Sequence, residues 1–126
     1  MSEIKATVLV VDDEPNIARG IQVIFEKEGY RVITASSGTE ALLKVKEENP
    51  SLVMLDILMP GLSGIETLRC IKALNKDIPV VMVTAVKSDE ESKAAMEAGA
   101  YDYVIKPIDF KYLKQSVLVK LFLENR

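Results

Sequence analysis

The sequence predicts a doubly wound α/β fold, in which helices cover both faces of a five-stranded parallel sheet. Two kinds of segment alternate along its 126 residues: short apolar runs without charged residues, and longer segments with helical periodicity. Such apolar runs fit strands that are buried on both faces, and their regular alternation with helices is typical of parallel sheets. The length fits one domain that buries about two-thirds of its unfolded surface. We therefore expect a single domain with its own core.

Five apolar runs are predicted as strands, and a helical pattern follows each. The strands are expected at residues 6–11, 31–35, 52–55, 79–84 and 102–105, of which the last is the weakest. The helices are marked by the apolar stripes Ile17/Ile21/Ile24/Phe25, Ala41/Leu42/Val45, Ile65/Leu68/Ile71, Ala94/Ala95/Ala98 and Leu113/Val117/Leu121. The fourth stripe contains only alanines, so that helix is expected to shift at little cost in free energy.

Helix boundaries carry their own signals. The pattern S-x-x-E occurs at residues 37–40, 63–66 and 88–91. In such a capping box the serine hydroxyl accepts from the backbone N–H three residues on, and the glutamate reaches back to the helix start. Gly29 and Gly99 stand where left-handed helix C-caps are expected.

Composition excludes several classes of site. The sequence has no histidine, so Ser-His-Asp catalysis, Cys-His catalysis and histidine-containing zinc sites are ruled out. Cys70 is the single cysteine, so no disulfide can close within the chain. The net charge is −3 and no block of basic residues stands out, which disfavours nucleic acid and anionic membranes as partners. Neither a membrane span nor a signal peptide is evident, and we expect a cytoplasmic domain.

Four of the five predicted strands end in a polar residue or are followed directly by one. Asp12 and Asp13 follow the first strand, Asp56 the third and Lys106 the fifth, while Thr84 ends the fourth. In the strand order 2-1-3-4-5 the first and third strands are neighbours at the switch point, so the three aspartates should converge. A single aspartate at a strand end is more often a turn former, and Asp12 or Asp13 could cap the first helix. Three carboxylates at one point repel one another, and a hard divalent cation such as Mg²⁺ relieves that repulsion.

This group of side chains suits phosphoryl transfer, in which catalysis consists mainly of positioning and charge neutralisation. Lys106 supplies a fixed positive charge and Thr84 a hydroxyl group. The nucleophile must then be a carboxylate, as in an aspartyl phosphate. Asp56 stands alone at the end of the central strand, whereas Asp12 and Asp13 are paired. We therefore predict Asp56 as the phosphoryl acceptor and the pair as metal ligands.

Four segments in this order resemble the bacterial two-component response-regulator receiver domain. They are VDDEPN at 11–16, MLDILMPGLSG at 54–64, VTA at 83–85 and GAYDYVIKP at 99–107. The resemblance extends over the whole chain and implies a flavodoxin-like (βα)5 fold with strand order 2-1-3-4-5. It also implies that a sensor histidine kinase or a phosphotransfer protein phosphorylates Asp56 in a phosphorelay.

The resemblance assigns further roles to individual residues. Asp13, Asp56 and the backbone carbonyl of Leu58 would bind Mg²⁺, and Asp12 would act through a metal-bound water. Thr84 and Tyr103 match the switch pair of the family, and Lys106 matches its phosphate-binding lysine. The Lys106–Pro107 peptide bond is expected to be cis. The apolar side chains of Leu58 and Val86 would flank the path of a hydrolytic water, which predicts slow loss of the phosphoryl group.

These assignments define expectations for partners and activity. Residues 1–126 would form one receiver domain without an output domain, either free-standing or as the first part of a longer regulator. Its chemistry would be limited to Mg²⁺-dependent phosphorylation and dephosphorylation of its own Asp56, so it is not expected to be an enzyme of other substrates. A downstream output domain or target protein would read the signal. A phosphorylation-dependent dimer could form through the fourth helix, fifth strand and fifth helix.

Two other functions use related folds or chemistry. A flavodoxin-type flavin carrier needs a phosphate-binding loop after the first strand, where this sequence has Asp12, Asp13 and Glu14. An Mg²⁺-dependent phosphatase with an aspartyl nucleophile would carry a second acid two residues later, where this sequence has Leu58. Dinucleotide binding lacks its G-x-G-x-x-G motif.

Overall fold

Strands and helices alternate along the chain, as the sequence predicts. The computed structural model describes residues 6–57, 59, 61–85, 88–106, 109, 111–112 and 115. The elements are β1 (Thr7–Val11), α1 (Pro15–Lys27), β2 (Arg31–Ala35), α2 (Gly38–Glu48), β3 (Leu52–Leu55), α3 (Gly64–Leu74), β4 (Val80–Thr84), α4 (Asp89–Glu97) and β5 (Asp102–Ile105). The apolar stripe of the fifth predicted helix, Leu113/Val117/Leu121, lies outside the described residues. So do Leu58, Val86 and Pro107.

The five strands form one parallel sheet in the order β2-β1-β3-β4-β5. This confirms the predicted fold class and strand order. Two strands begin one residue later than predicted, because Ala6 and Pro79 contribute only their carbonyl groups to the ladder. These carbonyls accept from Arg31 N at 2.9 Å and from Val53 N at 3.0 Å. Proline has no N–H to donate, which explains why Pro79 directly precedes the first residue of β4.

Successive strand residues face opposite sides of the sheet, and each side has its own core. On one side α1 packs through Ile21 and Phe25 against Val8, Val10, Met54, Val81 and Val83. On the other side α2, α3 and α4 pack through Ala41, Val45, Leu68, Ile71 and Ala95 against Leu9, Val11, Val53, Leu55 and Met82. The sheet is therefore covered on both faces, which explains why its strands read as continuous apolar runs. No helix of the described segments is long and apolar enough to cross a membrane.

The predicted serine caps are present at three helices. The hydroxyl oxygens of Ser37, Ser63 and Ser88 accept from the backbone N–H groups of Glu40, Glu66 and Glu91 at 3.1, 3.2 and 3.2 Å. Gly29 and Gly99 have φ angles of 94° and 104°, as expected for left-handed C-caps. The serine and glycine signals thus fixed these boundaries correctly.

The start of α3 lies against the backbone that carries Asp56. A Cβ atom built on Gly64 would lie 2.4 Å from Ile57 Cα and 2.6 Å from the Asp56 carbonyl oxygen. The Gly64 N–H also donates to the Ile57 carbonyl at 3.1 Å. Only glycine fits this contact, which holds the segment after β3 in place.

We predict that Gly64→Ala lowers the free energy of unfolding by about 1–3 kcal/mol, because the new methyl group must displace backbone atoms. The amide NMR signals of Asp56 and Ile57 should shift with it. Gly61→Ala is the control, since a Cβ atom there meets nothing within 4 Å and only the positive φ of 80° is strained. Unchanged Asp56 and Ile57 signals in Gly64→Ala would show that this contact does not position Asp56.

Candidate functional site

Three of the site residues, Asp12, Asp56 and Lys106, are the first residues beyond their strands, where the hydrogen-bond ladder continues for one more step. Asp12 N–H donates to Ala35 O of β2 at 3.1 Å, and Asp56 N–H donates to Val11 O of β1 at 3.0 Å. Lys106 N–H donates to Thr84 O of β4 at 2.7 Å. The sheet therefore fixes the backbone of these residues at one edge, and their side chains lie together there.

The three predicted aspartates converge. One carboxylate oxygen each from Asp12, Asp13 and Asp56 lies within 4.8 Å of the others. Asp12 and Asp56 are buried, whereas Asp13 is exposed to solvent. The adjacency of β1 and β3 produces this cluster, because the two strands end side by side.

Lys106 is the cation that faces these acids. Its Nζ lies 3.1 Å from Asp12 Oδ2, 3.3 Å from Asp56 Oδ2 and 3.3 Å from Glu14 Oε1. Its side chain is only 10% exposed. One largely buried ammonium group thus contacts three carboxylates, two of which are buried themselves.

The protonation of Lys106 follows from this environment. Burial alone would lower its pKa, but hydrogen bonding and charge from Asp12 and Asp56 outweigh burial and raise the pKa above its usual 10.5. The side chain therefore stays cationic throughout the neutral range. Any anion that enters the site meets a permanent positive charge.

Thr84 and Tyr103 lie on the strands next to the cluster. Thr84 is fully buried at the end of β4, and its carbonyl oxygen accepts the hydrogen bond from Lys106 N–H. Tyr103 lies opposite Met82 on β5 and packs, partly buried, against the core on the α2–α4 side. Burial raises the pKa of the Tyr103 hydroxyl above its usual 10.0, and the charge of Glu91 raises it further.

Glu14 contacts the site although the sequence analysis gave it no role. It occupies the N-cap position of α1 without a side-chain capping bond, and its carboxylate instead approaches Lys106 at 3.3 Å. The expectation that Asp12 or Asp13 could cap α1 is therefore wrong: Asp12 lies two positions before the N-cap, and its Oδ1 accepts from the N–H of the N-cap residue, Glu14, at 2.8 Å. Pro15 is the signal that could have shown this, because proline favours the first helical position and thereby marks residue 14 as the N-cap.

The donor atoms of this cluster fit a hard divalent cation. Carboxylate oxygens are the preferred ligands of Mg²⁺, and a bound cation would offset the repulsion among Asp12, Asp13 and Asp56. The exposed Asp13 leaves the cluster open to solvent on one side. The predicted contribution of the Leu58 carbonyl lies outside the described residues.

A cavity of about 550 Å³ adjoins the cluster between α1 and the end of β2. Its lining includes Asp12, Asp13, Asn16, Arg19 and Glu40. The carboxylates of Asp12, Asp13 and Glu40 in this lining would repel the phosphate group of a flavin nucleotide. The cavity therefore does not support the flavin-carrier alternative.

Comparisons with known proteins agree with one another. The family model described as the response regulator receiver domain matches residues 8–118. The transcriptional regulatory protein ZraR of Salmonella typhimurium is 42% identical over 113 residues, which are 90% of this chain and 26% of ZraR. The DNA-binding response regulator MtrA of Mycolicibacterium smegmatis is 36% identical over 121 residues, which are 96% of this chain and 53% of MtrA. The chain thus spans about a quarter to a half of the length of these relatives.

The solved structures show the same similarity. A CheY-like response regulator receiver domain from Methanospirillum hungatei superposes with a TM-score of 0.89 at 32% identity. The alignment covers 99% of this chain and 97% of that one. The fold is therefore shared over nearly the whole length of both chains.

We predict that Lys106→Met lowers the free energy of unfolding by about 1–3 kcal/mol, because two buried carboxylates lose their cation. Urea unfolding without divalent cations measures this loss. Since the pKa of Lys106 is raised in the folded state, its stabilisation is fully present below the unfolded pKa of about 10.4 and is lost only as the pH rises through the folded value. The difference should therefore be constant between pH 7 and 9. Lys76→Met, at an exposed turn, is the control; equal effects of the two substitutions would contradict the prediction.

Proposed function

Because the chain belongs to the response regulator receiver domain family, it is a phosphorylation-dependent switch of two-component signal transduction, and we propose that Asp56 is its phosphoryl acceptor. One observation carries this proposal: the Asp56 carboxylate is buried at the end of the central strand, 3.3 Å from Lys106 Nζ and within 4.8 Å of carboxylate oxygens of Asp12 and Asp13. The phosphoryl donor is the phosphohistidine of a sensor histidine kinase or of a phosphotransfer protein.

The proposed reaction is the transfer of one phosphoryl group between proteins. An Asp56 carboxylate oxygen attacks phosphorus, the bond between phosphorus and the donor imidazole nitrogen breaks, and the imidazole leaves and takes up a proton. The product is an acyl phosphate on Asp56. Burial of Asp56 limits its solvation, and the nearby ammonium group of Lys106 stabilises the charge that remains on the phosphoryl oxygens.

Asp13 and Asp56, with the Leu58 carbonyl, would hold Mg²⁺, and Asp12 would contact it through water. When bound, the cation neutralises charge on the entering phosphoryl group. The chain's own contribution is to keep Asp12 and Asp13 at the end of β1 by the ladder contact with Ala35, within reach of Asp56. The same residues would support removal of the phosphoryl group by water, and the domain would act on no substrate other than its own Asp56.

Thr84 and Tyr103 would transmit the change. The Thr84 side chain would approach the phosphoryl oxygens, and the Tyr103 ring would move into the space it leaves. The neighbouring surface has exposed apolar side chains at Met96, Tyr101 and Ile105. We also propose that this face binds the downstream output domain, a target protein or a second phosphorylated copy of this chain.

Cellular context completes the proposal. Phosphohistidine donors are made from ATP, so the domain would act in the cytoplasm. ZraR and MtrA are named as transcriptional and DNA-binding regulators, and we propose an output of that kind for a longer protein that contains this domain. The domain itself would bind its kinase and its target rather than nucleic acid or a membrane.

We predict that intact mass increases by one phosphoryl group when the protein is incubated with acetyl phosphate and Mg²⁺, and that chelation of Mg²⁺ prevents the increase. Asp56→Asn should remain unmodified because it lacks the nucleophilic carboxylate. Asp77→Asn, an exposed aspartate in the turn before β4, should be modified like the parent protein. Modification of Asp56→Asn to the same extent would place the acceptor elsewhere.

A further inference from the structure

Three helices of this protein begin with the pattern S-x-x-E, but the three glutamates make different contacts. Glu40 Oε1 accepts from Ser36 N at 2.6 Å, and Glu66 Oε1 accepts from Ser63 Oγ at 3.1 Å. The third carboxylate, Glu91, has its Oε2 atom buried and without a hydrogen-bond partner among the described residues. The first two acids thus bond next to their helix starts, whereas Glu91 places an oxygen in the interior.

The fold places this oxygen on the side of α4 that faces β5. Glu91 and Ala95 are four residues apart and therefore lie on the same face of the helix. Ala95 is completely buried in the core against which Tyr103 packs. Glu91 is one turn nearer the start of α4, at the edge of the sheet where the aspartates lie.

The electrostatic environment of Tyr103 agrees with this proximity. Burial is the larger cause of the raised pKa of the Tyr103 hydroxyl, and the charge of Glu91 is the second. Its carboxylate is therefore near enough to the ring to disfavour a tyrosinate.

A buried carboxylate oxygen without a donor is costly, since an unsatisfied buried acceptor destabilises by about 1–3 kcal/mol and a charged one by more. A tyrosine hydroxyl is a suitable donor. A rotation of the Tyr103 ring or a small shift of α4, which is held by few apolar side chains, would bring the two groups together.

We propose that Glu91 is a positioning residue for Tyr103: its buried Oε2 is an acceptor for the Tyr103 hydroxyl in a second ring position, and this bond sets the population of that position. The inference extends the proposed function, because it names the residue of α4 through which the movement of Tyr103 is coupled to the helix. Removal of the acceptor charge should shift the equilibrium between ring positions by about threefold to tenfold, the range that corresponds to the net contribution of one typical intramolecular hydrogen bond.

The test is a double-mutant cycle with Glu91→Gln and Tyr103→Phe. In the first arm, NMR of protein with ¹³C-labelled tyrosine rings follows the Tyr103 Cζ signal with and without beryllofluoride, which mimics a phosphoryl group. Glu91→Gln should shift this signal and lower the pH at which Tyr103 ionises. Glu90→Gln, an exposed neighbour with the same loss of charge, should do neither.

In the second arm, the rate of Asp56 phosphorylation by acetyl phosphate is measured for all four members of the cycle. Glu91→Gln should change the rate about threefold to tenfold in the parent protein and leave it nearly unchanged when residue 103 is phenylalanine. Equal effects in both backgrounds, or an unchanged Tyr103 signal, would overturn the inference and leave Glu91 as a helix-start residue only. If the proposed function itself were wrong, no member of the cycle would be phosphorylated. The Tyr103 ring signal measured without beryllofluoride would still report the contact with Glu91, so the two failures can be distinguished.

Discussion

The contact of Lys106 with three carboxylates is the interaction on which the rest of this site depends. Asp12 and Asp56 are buried, and charged groups in that position are stable only when an opposite charge compensates them. Lys106 reaches them because β5 continues for one residue beside the end of β4. Strand order, strand length and charge compensation therefore combine at one edge of the sheet.

Compensation at this site is incomplete, and the proposed function depends on that. Asp12, Asp13, Asp56 and Glu14 carry four negative charges near one ammonium group, so the cluster attracts a further cation. A site that held enough positive charge already would have no need of Mg²⁺, and one without Lys106 would repel a phosphoryl group strongly. The arrangement is thus suited to a reversible, metal-dependent modification of Asp56.

Much of this arrangement follows from local sequence, and the rest from contacts between distant residues. The apolar runs of β1 and β3 and the aspartates after them predicted both the strand ends and their convergence, since parallel strands end at a common edge. The partnership of Glu14 with Lys106 joins residues 92 positions apart and has no local signal. The inward Oε2 of Glu91 was equally unpredictable, because its S-x-x-E pattern is the same as those at Glu40 and Glu66, and only the packing of α4 on β5 distinguishes it. The importance of Gly64 also shows only in the folded structure, where its lack of a Cβ atom lets α3 approach the Asp56 backbone.

The central claim is that Lys106 and the aspartates form one electrostatic unit, in which lysine and metal compete for the same carboxylates. Calorimetric titration of Mg²⁺ into the parent protein and into Lys106→Met tests it most directly. We expect one Mg²⁺ to bind to the parent protein and to bind several-fold more tightly to Lys106→Met, since the variant removes a positive charge 3.1–3.3 Å from Asp12 and Asp56. Equal or weaker binding by the variant would contradict it.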